Sequence, residues 1–405
     1  MRAMTARTRR ILIAGAGIGG LTAALALLRR GFDVTVFEQA AALREVGAGV
    51  QISANGVRVL AALGVDAALA ALSCEASGKE IRLWNSGQCW KLFDLGAESV
   101  ARYGFPYYTV FRPDLLDVLE QAVRRLKPDA LRLGARLDSF VQDAGRVTIS
   151  CADGHTATGA ALIGADGIHS RVRHLLSGAD AATFTGLIAW RGVIPMARLP
   201  AHMRRFVGVN WVGPGRHAIQ YPLRRGALMN FVGIVERADW QVESWTARGT
   251  TAELAADFAG WHDDVQALIG AIEAPHKWAL MQRRPLGRWS DGRVTLLGDA
   301  CHPMLPMMAQ GAVQAIEDGY VLARTLGEAA DDVAAAFRRY EAARQERTAR
   351  LVQASAENAQ RFHNPALADP AGAQAYVDRE WAPARVHARY DWLFRHDAVA
   401  GPIPA

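Results

Sequence analysis

The chain has 405 residues, 51% of them hydrophobic and 21% charged, with a net charge of +6. That length exceeds one small core and favours two domains, and the balance is that of a folded soluble protein rather than a disordered one. Its basic residues are scattered, with no aromatic-interleaved cluster, which argues against nucleic-acid binding; Cys74, Cys89, Cys151 and Cys301 form no C-x-x-C, so neither a disulfide framework nor a metal site is indicated and a reducing cytoplasm is expected.

Arg9 and Arg10 precede an uncharged run from Ile11 to Leu28 that has the outline of a twin-arginine signal or a membrane helix. Gly15, Gly17, Gly19 and Gly20 interrupt it, so no membrane span is expected. Arg10–Ala14 reads instead as a buried strand, residues 15–20 (GAGIGG) as a G-x-G-x-x-G turn, and Leu21 to Arg30 as a helix closed by Gly31. A second strand from Asp33 ends in Glu38, an acid 18 residues after Gly20. Strand, glycine turn, helix and acid at this spacing form a dinucleotide fingerprint. Gly15, Gly17 and Gly20 let the backbone approach a pyrophosphate, and Glu38 would hold the ribose hydroxyls; plain strand–helix packing is the bland alternative.

Gly47 to Gly56 is rich in small residues, as backbone lying against a flat ring requires, and leads into a helix over residues 56–63; a simple turn is the alternative. Residues 80–94 alternate around Asn85-Ser86-Gly87 and read as a hairpin. A helix runs from Phe111 to Arg125, and Arg112 at its start is placed to reach a pyrophosphate or to make a surface ion pair. Leu131 to Leu137 and Arg146 to Cys151 read as strands, and Ala161 to Gly164 as a strand ending in Asp166-Gly167. From Thr183 to Arg237 the pattern changes to four strand-like runs separated by Pro/Gly turns, an antiparallel sheet distinct from the strand–helix region. Trp240 to Ile272 reads as mostly helical.

Residues 294–326 (VTLLGDACHPMLPMMAQGAVQAIEDGYVLARTL) carry a short apolar strand, an acidic turn, a proline-containing loop and a helix opening at Gly311-Ala312. Asp299 can accept from sugar-like hydroxyls, Gly311 lets backbone approach a planar ligand, and the free N–H groups at the helix start can hold an anion. A flavin uses all three: ribityl chain, ring, and the charge gained on reduction; a plain connector into a packed helix is the bland alternative. Asp331 to Phe362 reads as an amphipathic helix packed outside the fold, residues 363–375 as a loop, and the aromatic tail (Trp381, Tyr390, Trp392, Phe394) as docked on this chain or a partner.

GAGIGG at 15–20, GADGIHSRVR at 164–173 and GDACHPMLPMMAQGA at 298–312 together resemble the single-component FAD-dependent aromatic monooxygenases with the para-hydroxybenzoate hydroxylase fold. AWRG at 189–192, His217-x-x-x-Tyr221-Pro222 and AIEDG at 315–319 resemble the branch with salicylate hydroxylase, 3-hydroxybenzoate 6-hydroxylase and 6-hydroxynicotinate 3-monooxygenase. The resemblance implies an α/β fold: a Rossmann-like FAD-binding domain with a parallel sheet (1–75, 109–180, 278–350), a substrate domain on an antiparallel sheet (76–108, 181–277) and a C-terminal helical segment (351–405). It also implies NADH or NADPH as transient reductant, O2 as co-substrate and a flavin C4a-hydroperoxide attacking a phenolic ring. Gly49, Val50, Arg112, Asp166, Asp299, Gly311 and Ala312 would then contact FAD. No second G-x-G-x-x-G follows, so the nicotinamide would share a groove with the flavin.

Phenols react far better ionised, yet their pKa lies near 10, so a base or a phenolate-stabilising donor is needed. His217, which the branch pattern turns toward the ring, is the candidate, against a satisfied core histidine. Tyr221, on the same strand face, is the candidate hydrogen-bond partner, against core packing. Gln51, Arg191, Pro306 and Met307 complete the expected substrate pocket. The hydroxynicotinate enzymes carry histidines where Gln51 and Met307 stand, and the 3-hydroxybenzoate enzyme a glutamine near Pro306, so the apolar Pro306-Met307-Met308 wall suits a greasier phenol or hydroxybenzoate, salicylate-like first. A monomer or homodimer is expected. A dehydrogenase of the same fold that inserts no oxygen, or a non-catalytic flavin-binding protein, are the competing readings.

Overall fold

The computed structural model describes residues 9–43, 48–178, 182–237, 239, 247–284, 286–329 and 331–404. Gly47 and Trp240 lie outside these. Strand Arg10–Ala14 is buried on both faces because four of its five residues are apolar, and it sits inside a six-stranded sheet. It pairs in parallel with Asp33–Phe37 on one side and Ala161–Gly164 on the other. Val294–Leu296 and Leu131–Arg132 extend the parallel set, and Ser290–Asp291 closes one edge in the opposite direction. Parallel strands need cover on both faces. Helices Ile18–Leu28 and Gly311–Glu328 supply part of it. They meet closely at Gly19, where a Cβ would stand 2.6 Å from Leu297 Cδ1 and 3.0 Å from Ala315 Cβ.

The expected strand from Leu131 to Leu137 is broken. Leu131–Arg132 joins the parallel sheet, Gly134 turns the chain at φ +68°, and Leu137–Gln142 starts a separate three-stranded antiparallel sheet with Val147–Cys151 and Thr156–Gly159. The run is apolar at both ends, but one straight strand could not serve two sheets.

The second large sheet has seven strands in the order His276–Gln282, Thr183–Pro195, Leu228–Glu236, Arg216–Leu223, Val207–Gly213, Gly78–Leu83 and Cys89–Asp94. The four expected strands and the hairpin are thus one sheet. It is antiparallel throughout except where Val207–Gly213 pairs in parallel with Gly78–Leu83. One face carries Trp190, Trp211 and Phe231 and is covered by helices Thr251–Asp257 and Asp263–Gly270. The other face carries His217, Tyr221 and Arg191. Between the two large sheets, Gly49–Ile52, Tyr108–Phe111 and Cys74–Glu75 form a small antiparallel sheet.

The long helix, Val333–Phe362, does not lie outside the fold. It buries Phe337, Tyr340, Arg344, Leu351 and Phe362, because its charged inner positions are matched by acids on Gly311–Glu328. Residues 363–375 are not a loop either: a 3₁₀ turn at Pro365–Ala368 and a helix Pro370–Glu380 occupy them, each opened by a proline behind an Asn or Asp cap. The tail forms helix Pro383–Phe394 and docks on its own chain, placing Leu393 and Phe394 against Tyr103, Tyr107 and Met308. No described helix is long and apolar enough to cross a membrane.

Candidate active site

The glycine turn divides its labour. At Gly15 (φ +101°) a Cβ would stand 2.4 Å from Ala165 O, and at Gly20 one would stand 2.0 Å from Gly15 O, so both are required for the turn to pack on the next strand. A Cβ at Gly17 would meet nothing within 4 Å. That open side lies at the start of Ile18–Leu28, whose first turn carries no acid and no side-chain cap. Backbone N–H groups there are left for an anionic ligand. Glu38 reaches back across the turn, Oε2 accepting from Ala16 N at 2.8 Å and Oε1 from Ala40 N at 2.8 Å. Each oxygen keeps further acceptor capacity for a ribose hydroxyl.

Asp166 is spent differently. Its carboxylate accepts from the Ser170 hydroxyl and from Val172 N at 3.0 Å, opening the helix Arg171–Ser177. Burial raises its pKa, against those hydrogen bonds. The carboxylate is thus engaged at this helix start, while the preceding Ala165 is the residue that packs against Gly15.

The loop between Val294–Leu296 and Gly311–Glu328 presents the second half of the site. Asp299 is exposed, yet protein surrounds it closely enough that burial raises its carboxyl, with His302 and Arg112 pulling the other way. Exposure and crowding coexist where a side chain lines an internal hollow, which reconciles the two. The loop thus brings Asp299 and Arg112 within electrostatic reach. Arg112 also ties its N–H to Ala48 O at 2.9 Å. Ala309 adopts φ +53°, a left-handed conformation costly for a non-glycine residue and of a kind found at ligand sites. Gly311 and Ala312 follow half-buried, a Cβ at Gly311 would touch only Met304 Cγ at 3.9 Å, and the helix start has no side-chain cap. A flat ligand with a phosphate-linked sugar chain fits these open glycines, bare helix starts and hollow-facing acid; FAD is such a group.

Beneath the loop lies a charged network that sequence reasoning missed. Arg344 donates to Asp318 Oδ1 (2.7 Å), Glu317 Oε2 (2.6 Å) and Gln314 Oε1 (2.6 Å), and Arg347 and Asn55 also hold Glu317. Burial alone would raise both acids, but Arg347 and Arg344 for Glu317, and His302 and Arg344 for Asp318, hold them below the ordinary range. Asp318 Oδ2 accepts from Gly298 N at 3.0 Å and lies 2.6 Å from His302 Nε2. His302 therefore shapes the loop. An acid pair inside an otherwise apolar helix stripe was the available signal.

On the substrate-sheet side, Tyr221 is buried and hydrogen-bonds with Gln51 and Asn230; burial raises its pKa. Gly49 is tied to Asn230 Oδ1 at 2.8 Å, and a Cβ on it would stand 2.5 Å from Tyr221 Cε2. Gln51 Oε1 accepts from Tyr107 Oη at 2.8 Å, and Tyr107 Oη in turn accepts from Lys79 Nζ at 2.9 Å. Lys79 is partly accessible, but protein crowds its ammonium and pushes its pKa down to about 7. Lys79, Tyr107 and Asn230 were not singled out from sequence. Arg191 is on the same face, its guanidinium 4.1 Å over the Trp278 ring. Val50 is half-buried opposite Val110. Pro306 is exposed and Met307 is buried in the core under the sheet, its carbonyl held by Asn358 Nδ2 at 3.3 Å. His217 is fully buried on the Tyr221 face but away from the Gln51 group, its Nδ1 2.6 Å from His363 Nε2.

Three comparisons bear on this geometry. The family model described as FAD binding domain matches residues 8–355. The chain is 40% identical over 390 residues to 3-amino-4-hydroxybenzoate 2-monooxygenase PtnB3 of Streptomyces platensis, covering 96% of each, and 35% identical over 398 residues to 6-hydroxynicotinate 3-monooxygenase of Bordetella bronchiseptica, covering 97% of each. Among solved structures, a salicylate hydroxylase substrate complex superposes with a TM-score of 0.79 at 27% identity, over 96% of each chain.

Proposed function

We propose, for a chain that belongs to the FAD binding domain family and is a flavin-dependent aromatic monooxygenase, that its substrate is a phenolic aromatic acid hydroxylated at the expense of NADH or NADPH and O2. The observation that carries the substrate class is the polar corner where Lys79 and Tyr221 of the large sheet meet Tyr107 and Gln51. An ammonium crowded by protein favours a carboxylate partner. Tyr221 and Gln51 offer hydrogen bonds to a ring substituent, and Ile219 and Val232 give the same face an apolar surface for the ring.

FAD held between the glycine turn and the 298–312 loop would pass electrons from the nicotinamide to O2 and so supply an activated oxygen. This chain's residues do the rest. Glu38 and Arg112 orient the nucleotide, Asp299 the ribityl chain, and the uncapped N–H groups at Gly311-Ala312 stabilise negative charge on the pyrimidine edge. His217 accepts the phenolic proton and Tyr221 holds the ring in register. A cleft of about 280 Å³ beside Gly167, lined by His169, Ser170, Arg171, Arg173, His174 and Arg283, suits the pyrophosphate of the nicotinamide reductant.

The test is turnover of the FAD-loaded enzyme with salicylate, 3-hydroxybenzoate, 3-amino-4-hydroxybenzoate and 6-hydroxynicotinate under labelled dioxygen. One label atom per product molecule from at least one of these is expected. Reductant oxidation with no label in any product would point to a dehydrogenase, and silence with every acid would overturn the substrate class.

A further inference from the structure

His217 does not stand alone. Its Nδ1 lies 2.6 Å from His363 Nε2, and His363 Nδ1 lies 2.9 Å from Glu236 Oε1. His217 is fully buried, His363 nearly so, and the Glu236 side chain is 57% exposed. The three come from strand Arg216–Leu223, the residue closing helix Val333–Phe362, and the last residue of strand Leu228–Glu236. They make a file from the sheet interior to the protein surface.

The chemistry of the file fixes its protons. A carboxylate can only accept, so His363 must donate from Nδ1 to Glu236. Burial disfavours the charged form of both rings. A neutral His363 that donates from Nδ1 carries a lone pair on Nε2, so His217 must donate to it from Nδ1. His217 then bears its own lone pair on Nε2, and that buried atom has no hydrogen-bond partner among the described residues. A buried acceptor left bare is costly unless a ligand meets it. Of the charged groups near the file, Arg216 acts on His363 against protonation and Glu236 acts for it.

We infer that His217, His363 and Glu236 form a proton relay that carries the phenolic proton of the substrate to solvent, with His363 and Glu236 as positioning residues that keep His217 Nε2 a base. The inference rests on the phenolic-substrate reading. In the forward step the phenol O–H bond breaks and an N–H bond forms at His217 Nε2. His217 Nδ1–H passes to His363 Nε2, His363 Nδ1–H passes to Glu236, and Glu236 releases it to water. Both rings end neutral with their protons on Nε2. They are reset when product phenolate takes a proton back along the same path.

Nitrogen-15 spectra of the FAD-loaded, histidine-labelled enzyme, assigned with single histidine variants, read the tautomers without turnover. Both rings neutral with the proton on Nδ1 is the expected result; a proton on His217 Nε2 in the ligand-free enzyme overturns the relay. In turnover, His363→Ala should keep its FAD, lose about tenfold or more of the hydroxylation rate and regain part of it with added imidazole. A rate equal to wild type, or a loss that imidazole leaves untouched, counts against the relay. Glu236→Gln, a surface change that does not threaten folding, should slow turnover and shift its pH profile; an unchanged profile counts against it as well. If no phenol is turned over at all, the substrate reading falls while the spectra still decide the file.

Discussion

Arg344 Nη1 lies 2.6 Å from Glu317 Oε2, with both side chains closed to solvent. The same guanidinium holds Asp318, so one residue of the long helix bridges two acids beneath the 298–312 loop, with Arg347 and His302 sharing their charge. Removing one partner of a buried charge pair leaves the other uncompensated, at a cost of about 3–5 kcal/mol. Arg344→Met should lower the melting temperature and weaken FAD retention together. A variant that melts within a degree of wild type would show the network to be dispensable.

The same pair sets the acid limit of the fold. Glu317 and Asp318 have depressed values in the folded chain, so their contribution is complete above the unfolded carboxylate range near pH 4 and is lost as pH falls toward the folded values. Denaturation midpoints from pH 6 to pH 3 should fall steeply below about pH 4 in the wild type. Glu317→Gln with Asp318→Asn should flatten that fall; an equally steep fall in the double variant would place the acid sensitivity elsewhere.

Lys79 gives a pH dependence to ligand binding. With its value pushed down to about 7, it loses its proton across the neutral range, and a bound carboxylate would pull that proton back. Affinity for 3-hydroxybenzoate should therefore weaken as pH rises from 6.5 to 8.5, by up to about tenfold per unit above the Lys79 value. The uncharged amide of the same acid should show no such slope, and Lys79→Met should abolish it. Identical slopes for acid and amide would remove Lys79 from recognition.

The glycines of the first turn separate fold from cofactor. Gly17→Ala places its methyl where no protein atom lies within 4 Å, at an ordinary negative φ of −71°. It should fold and melt like wild type but bind FAD more weakly. Gly20→Ala puts a methyl 2.0 Å from Gly15 O and should destabilise the chain with or without FAD. Calorimetry of the cofactor-stripped proteins distinguishes the two; equal melting of both variants would contradict this division.

Asp299→Ala removes an acceptor that lines the hollow but pairs with nothing essential to the loop backbone. A hydrogen bond to a charged group contributes about 1.5–3 kcal/mol, so FAD affinity should fall by roughly 10- to 150-fold. Equilibrium dialysis of the flavin measures it. His217→Ala should leave that affinity near wild type while hydroxylation or its coupling falls; equal loss of both would count against the base.

The amino-acid sequence by itself determined the features that depend on neighbours in the chain. Gly15, Gly17, Gly20 and Glu38 sit within one strand–turn–helix–strand unit, and Asp299 and Gly311-Ala312 at the two ends of one loop, so their spacing alone predicts the shape they take. What only the tertiary structure decided is the pairing of groups far apart in sequence. His217 with His363, Arg344 with Glu317 and Asp318, and Gly49 with Asn230 are brought together by how the two large sheets and the C-terminal helices stack. An amphipathic pattern says that Val333–Phe362 has an inner face, yet it cannot say that the arginine on that face meets two acids rather than water. Burial reverses the meaning of a charge: on a surface helix Arg344 signals solvent, and inside the fold it signals a partner.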